Sequence, residues 1–140
     1  MHSTRMKNLV AALTMAALTA CGNQAIQHCQ AGESLQFHDL LYFGTERGEQ
    51  RPVTDAEWAA FVQEVLTVHF PDGLTVLSGT GQWTSGTGDI VRERSHVLSL
   101  VHTGNTESEA SITTLINTYK TRFDQESVLR VRSAACVAFR

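Results

Sequence analysis

This 140-residue chain has only three cysteines, two prolines and two tryptophans, and nowhere a run of apolar residues long enough to cross a membrane. Spanning a bilayer takes about 20 consecutive apolar residues. The longest apolar stretch, Leu9 to Ala17, is roughly half that. No CxxC or HxxxH spacing gathers metal ligands, so no zinc site is expected. A GxSxG elbow, which exposes a nucleophilic serine, is also missing. Positive charge is scarce: 11 Lys and Arg face 14 Asp and Glu. Clustered Lys and Arg are what phosphate backbones require, so nucleic acid is excluded as a partner.

What is present begins at the N-terminus. Lys7 precedes the short apolar segment, which ends in small residues before Cys21. That order of basic, apolar and small residues is the layout of a secretory signal peptide. Leu18-Thr19-Ala20-Cys21 resembles the lipobox of bacterial lipoproteins, which implies cleavage before Cys21 and acylation of its sulfur. Two or three acyl chains hold a domain durably to a bilayer, each buried methylene contributing about 0.8 kcal/mol. Gly22 and Asn23 lack the aspartate that this resemblance links to inner-membrane retention, so an outer membrane is the expected address where the host has one. Met6 is a more natural start than Met1.

Residues 1–20 thus read as signal, 21–35 as lipidated N-terminus and polar tether, and 36–140 as one domain. Loss of Arg5 and Lys7 leaves 9 basic against 14 acidic residues, a formal charge of −5. In an oxidising compartment Cys29 and Cys136 have one possible partner each. Their bridge closes a long loop; the alternative is two unpaired thiols, with Cys136 packed in a core.

The domain alternates strand and helix signals. FHDLLYFG (37–44) is an apolar, aromatic strand. Thr54-Asp55-Ala56-Glu57 is a capping box flanked by the staple pair Val53 and Trp58. Trp58, Phe61, Val62, Val65 and Leu66 then recur at helical spacing, and Pro71-Asp72-Gly73 ends the helix by His69 or Phe70. A strand starts at Leu74, with a bulge and hairpin loop expected within Gly79 to Asp89, and returns over 90–102. Thr106-Glu107-Ser108-Glu109 reads as a second capping box, opening a helix with Ile112, Leu115, Ile116, Tyr119 and Phe123 inward. The last strand is expected over 128–139. Strand, helix, strand, strand, helix, strand with right-handed crossovers predicts a ferredoxin-like α+β sandwich, a four-stranded antiparallel sheet with both helices on one face. The other face is left open.

Chemistry is harder to find. The glycines of GTGQWTSGTG lead into a strand rather than a helix and lack a following lysine, so they read as a hairpin and not a phosphate loop. His96 and His102 share a strand face but stand about 20 Å apart at strand rise. Ser95 and His96 point to opposite faces. No catalytic residue, metal ligand or cofactor is therefore assigned. The polar strand residues Tyr42, Glu93, Arg130 and Arg132 are expected to gather on the open face, as a site for an anionic or planar small molecule or as cross-strand ion pairs.

Several motifs carry a resemblance over residues 37 to 139. They are LYFG (41–44), FPDGLTVL (70–77), GQW (81–83), IVRE (90–93), YKTRF (119–123) and QESVLRV (125–131). In that order they resemble a bacterial family of small secreted proteins and lipoproteins, a domain of unknown function. The resemblance implies an extracytoplasmic location and no particular activity. It adds Gln82, Trp83, Arg92, Glu93 and Gln125 to Ser127 as motif positions, the last three suited to capping and turn contacts. The functional expectation is a non-catalytic domain that binds a small ligand or a protein, a second copy included, through the open face. The alternative is a small enzyme with Glu93 as acid–base group.

Overall fold

The computed structural model describes residues 28–47 and 50–140. The signal segment, Cys21 and the tether up to residue 27 lie outside the described residues. Four strands form one antiparallel sheet: β1 Ser34–Gly44, β2 Thr75–Thr84, β3 Ile90–His102 and β4 Leu129–Val137. Their order is β2-β3-β1-β4, the arrangement of a ferredoxin-like sheet. A first helical rod comprises α1 Asp55–Phe61, a π-helical turn Val62–Leu66 and a last turn α2 Thr67–His69. The second helix is α3 Thr106–Phe123.

The first rod starts where its residues dictate. Thr54 accepts the Glu57 N–H at 3.2 Å, and Glu57 accepts the Thr54 N–H at 2.9 Å, so both arms of the capping box are closed. Val53 and Trp58 are both buried in the core. The π-helical turn ends with the N–H of Thr67 on the carbonyl of Val62, which also accepts the Thr67 hydroxyl at 3.0 Å.

One core lies between the helices and the inward sheet face. Leu41 and Phe43 from β1 and Leu98 and Leu100 from β3 meet Trp58, Phe61 and Leu66 from the rod, and Ile112, Leu115, Tyr119 and Phe123 from α3. Phe43 lies 4.7 Å from Tyr119 in an edge-on contact, and the Tyr119 hydroxyl donates to the Gly44 carbonyl at 2.8 Å. Burial holds that phenol well above its ordinary pKa of 10. Cys29 and Cys136 are joined by a disulfide, with Cα atoms 5.3 Å apart.

Two local expectations need correction. The cap of α3 is Asn105, not Thr106: the Asn105 side chain accepts the Ser108 N–H at 2.8 Å. This moves Glu109 one position past the reciprocal cap site and frees its carboxylate for other partners. In the hairpin the ladder runs without interruption through Gly79↔Ser95 and Gly81↔Glu93 to Thr84↔Ile90, so the turn is confined to residues 85–89. Gly79 stays in the ladder, and a Cβ there would crowd the Ser95 hydroxyl at 3.2 Å. The turn is closed by Ser85 N–H to Asp89 carbonyl at 2.9 Å.

Candidate functional site

Register decides which face each polar residue occupies. On β1 the buried Leu41 and Phe43 define the inward face, and Asp39 shares it. Arg132 stands opposite Asp39, and Arg130 opposite Leu41. Directly opposed residues share a face, so both arginines point to the helix side. Tyr42 and Glu93 belong to the open face. The expected cluster of Tyr42, Glu93, Arg130 and Arg132 therefore does not form. The reason is electrostatic: on the inward side two guanidinium groups find carboxylates, and Leu129 and Val131 are left outside instead.

The inward cluster is an ion network built on a fully buried acid. Asp39 has no exposed surface. Its Oδ2 accepts from Arg130 at 3.0 Å (Nε) and 2.5 Å (Nη2). Arg132 donates to both carboxylate oxygens at 3.0 Å. A buried carboxylate would be costly without such partners. Glu109 covers the guanidinium groups from the first turn of α3, accepting from Arg130 at 3.1 and 3.2 Å and also from Arg132. Arg132 additionally lies over the Phe37 ring, 4.6 Å from its centroid.

His102 completes the network and fixes its own tautomer. The Gly104 N–H donates to Nδ1 at 3.1 Å, so Nδ1 carries no proton. Nε2 therefore carries it and donates to Asp39 at 2.8 Å. Catalytic imidazoles need one nitrogen free to take a proton from a reacting group. Here both are engaged, and the pair is a positioning device for Asp39. Asp39, His102 and Glu109 offer donor atoms within 4.8 Å of one another. Two guanidinium groups already occupy those carboxylates, so a cation would meet two positive charges there.

Sequence reasoning missed Asp39, His102 and Glu109 as a unit. The readable signal was Asp39 itself, a lone acid on the same strand parity as Leu41 and Phe43.

Glu93 has a local task. Its carboxylate stands 2.8 Å from where a Gly44 Cβ would be, and it accepts the Glu46 N–H at 3.3 Å. The acid thus fastens the exit of β1. Gln125 does likewise from the end of α3, donating its amide to the Glu46 carbonyl at 2.5 Å. Gln82 and Arg92 are cross-strand partners, exposed near the hairpin tip, and Trp83 stands opposite Val91.

The open face is the other feature of note. Of the nine large apolar side chains exposed among the described residues, five lie on it: Leu77 (53 %), Trp83 (50 %), Val101 (41 %), Leu129 (60 %) and Val131 (46 %). Two rows cross all four strands. Leu77, Val97, Tyr42 and Leu129 form one; Thr75, Ser99, Leu40 and Val131 form the next. On it His38 Nε2 pairs with the Ser99 hydroxyl at 2.8 Å. A groove of about 730 Å³ runs past the end of the sheet, lined by Phe70, Leu74, His102, Ser111 and Phe139.

Topology and layers define a ferredoxin-like α+β domain with one covered and one open sheet face. Within that class, the chain belongs to a family of proteins of unknown function (DUF3574), whose pattern matches residues 38–139. No curated protein matches the chain. Among solved structures it resembles a phage SAM lyase in complex with S-methyl-5′-thioadenosine, at 15 % identity and a TM-score of 0.54, covering 81 % of this chain and 95 % of that one. A phage SAM lyase in the apo state gives 15 % identity and a TM-score of 0.53 over 82 % and 97 %. CutA from Synechococcus elongatus, complexed with Bis-Tris, gives 13 % and 0.47 over 74 % and 83 %. At such identities the likeness concerns the fold.

Proposed function

We propose that this chain is an extracytoplasmic, lipid-tethered domain that works by binding a protein through the open face of its sheet. The observation that carries the reading is the concentration of half-exposed apolar side chains on that face, Leu77, Trp83, Leu129 and Val131 among them. Contiguous exposed apolar surface of this kind marks an interaction site. The tether reading is supported by the lipobox at 18–21 and by the Cys29–Cys136 disulfide, which suits an oxidising compartment. No helix among the described residues is long and apolar enough to cross a membrane. Acylated Cys21 is then the attachment, to the outer membrane in a host with two.

The enzyme alternative loses its geometry. Glu93 and the two arginines that were to hold an anionic substrate occupy opposite faces of the sheet. The arginines are engaged by Asp39 and Glu109, and Glu93 by the backbone of Glu46.

Two measurements on the full chain in its own envelope test the reading. Mass spectrometry of the mature N-terminus is expected to find an acylated Cys21, and Cys21→Ser is expected to release the protein from the membrane. A photo-crosslinking residue placed at 77 or 129 is expected to give a protein adduct, whereas one at the exposed helix position 114 gives none. Absence of adducts at both face positions overturns the binding reading.

A further inference from the structure

We infer that the occupant of the open face is a second copy of this chain, packed sheet to sheet about a two-fold axis running parallel to the strands. The inference rests on the tethered-binding reading and names its partner.

The face has the character of a homotypic surface. Its one carboxylate, Glu93, is turned to the Glu46 backbone, so the surface carries a single charge rather than a charged patch that would select a partner of opposite sign. His38 and Ser99 satisfy each other, and Ser133 donates to the His38 carbonyl at 3.5 Å. Those paired atoms can be buried at little cost, and the Tyr42 hydroxyl in the central row is left to bond across the interface. Four strands about 4.8 Å apart and about 30 Å long give a face of roughly 570 Å² in projection. Side-chain relief raises this toward the about 800 Å² per partner of a stable interface.

The axis follows from the tether. Two sheets stacked face to face with a two-fold axis in the interface have two arrangements. An axis perpendicular to the strands sets β2 over β2 and points the two N-terminal ends in opposite directions. An axis parallel to the strands keeps both N-terminal ends together and sets β2 of each copy over β4 of the other. Whereas the first requires the two short tethers, each leaving the sheet at the Cys29–Cys136 end, to extend along the length of the sheet, the second lets both reach one membrane from the same side. It also keeps residues at equal height along the strands. Leu77 and Leu129 lie in the same row through Val97 and Tyr42, so Leu77 of one copy meets Leu129 of the other, and the reverse, as a self-complementary interface requires. Anchoring in one bilayer raises the effective concentration of the pair.

Crosslinking in the intact envelope tests both identity and axis. Leu77→Cys and Leu129→Cys are made separately in full-length, differently tagged chains that retain Cys29 and Cys136, and are then co-expressed and oxidised. The expected result is a disulfide between the 77 and 129 variants, exceeding either self-linked species at least tenfold. Dominance of the 77–77 species overturns the parallel axis. Absence of every crosslink between copies overturns self-pairing altogether. If photo-crosslinks from 77 or 129 then lead to a different protein, the general binding reading stands and only its second-copy form falls. Leu129→Glu, at a 60 % exposed position where folding is spared, is expected to abolish photo-crosslinked dimer formed from position 77. Persistence of that dimer counts against the interface.

Discussion

His102 and Asp39 are joined at 2.8 Å by a bond whose direction is fixed from outside, because the Gly104 N–H already occupies the other ring nitrogen. The acid at its centre serves three partners at once. Asp39→Asn removes the charge that Arg130 and Arg132 share while keeping the shape. It is expected to lower unfolding free energy by about 3 kcal/mol, the low end for breaking a buried pair, since both arginines keep partial solvent contact. Urea unfolding measures this directly. Glu109→Gln, at the exposed rim, should cost under about 1 kcal/mol. Equal losses for the two variants would contradict the assignment of Asp39 as the keystone.

Gly104 is constrained in two ways. Its φ is +72°, and an added Cβ would stand 2.3 Å from a Phe37 ring carbon. Gly104→Ala therefore combines left-handed strain with a clash against a ring that itself supports Arg132. A loss of about 2–4 kcal/mol is expected from the two effects together. Gly81→Ala, with open space around it, is the matched control and should shift stability by less than about 0.5 kcal/mol.

Acid sensitivity comes in two windows. Burial, with Arg94 adding to it, holds the His96 pKa below its ordinary 6.5. The ring is stacked on Trp58 at 4.1 Å and its Nε2 has no partner among the described residues. The unfolded chain therefore takes up this proton first, and stability that is full above pH 6.5 declines as pH falls toward the folded value. A urea midpoint that drops between pH 7 and 5, and drops less in His96→Phe, is expected. The second window belongs to Glu57, held far below the usual carboxylate range by hydrogen bonds from Arg51 and Thr54. Its contribution is present above the unfolded value near 4.5 and disappears only as pH falls below it. Glu57→Gln should flatten that lower limb.

The disulfide spans a sequence separation of 107 residues. On the chain-entropy account its removal costs up to about 4.7 kcal/mol. Cys29→Ser with Cys136→Ser, or reductant alone, should lower the thermal midpoint to the same value. A difference between those two treatments would show that the serines disturb their surroundings beyond breaking the bridge.

Much of the fold was legible because local chemistry and global topology agree. Thr54 and Glu57 close their box, Val53 and Trp58 flank it in the core, and the alternation of β3 sends His96, Leu98 and Leu100 inward. The cysteine pair had a single possible connectivity. What misled was parity on β4, where Arg130 and Arg132 alternate with Leu129 and Val131. Burying apolar residues argues for one phase, and the buried Asp39, a long-range partner on a central strand, imposes the other. The same partnership explains the shifted cap. A Thr106–Glu109 box is locally sound, yet Asn105 can cap equally well and leaves Glu109 to the arginines. Neither choice is decided within a window of ten residues.

Cys29 is stitched to the outgoing end of the edge strand β4, while the chain that follows it enters the central strand β1. Tension arriving from the N-terminal side is thus divided at Cys29 before it reaches any hydrogen bond of the sheet. One branch runs into β1, the other through sulfur into β4. The first strand cannot be drawn out like a thread while its neighbour stays behind; the two must shear from the sheet together. The bridge is therefore a strain relief as well as a staple, of the kind fitted where a cable enters its housing.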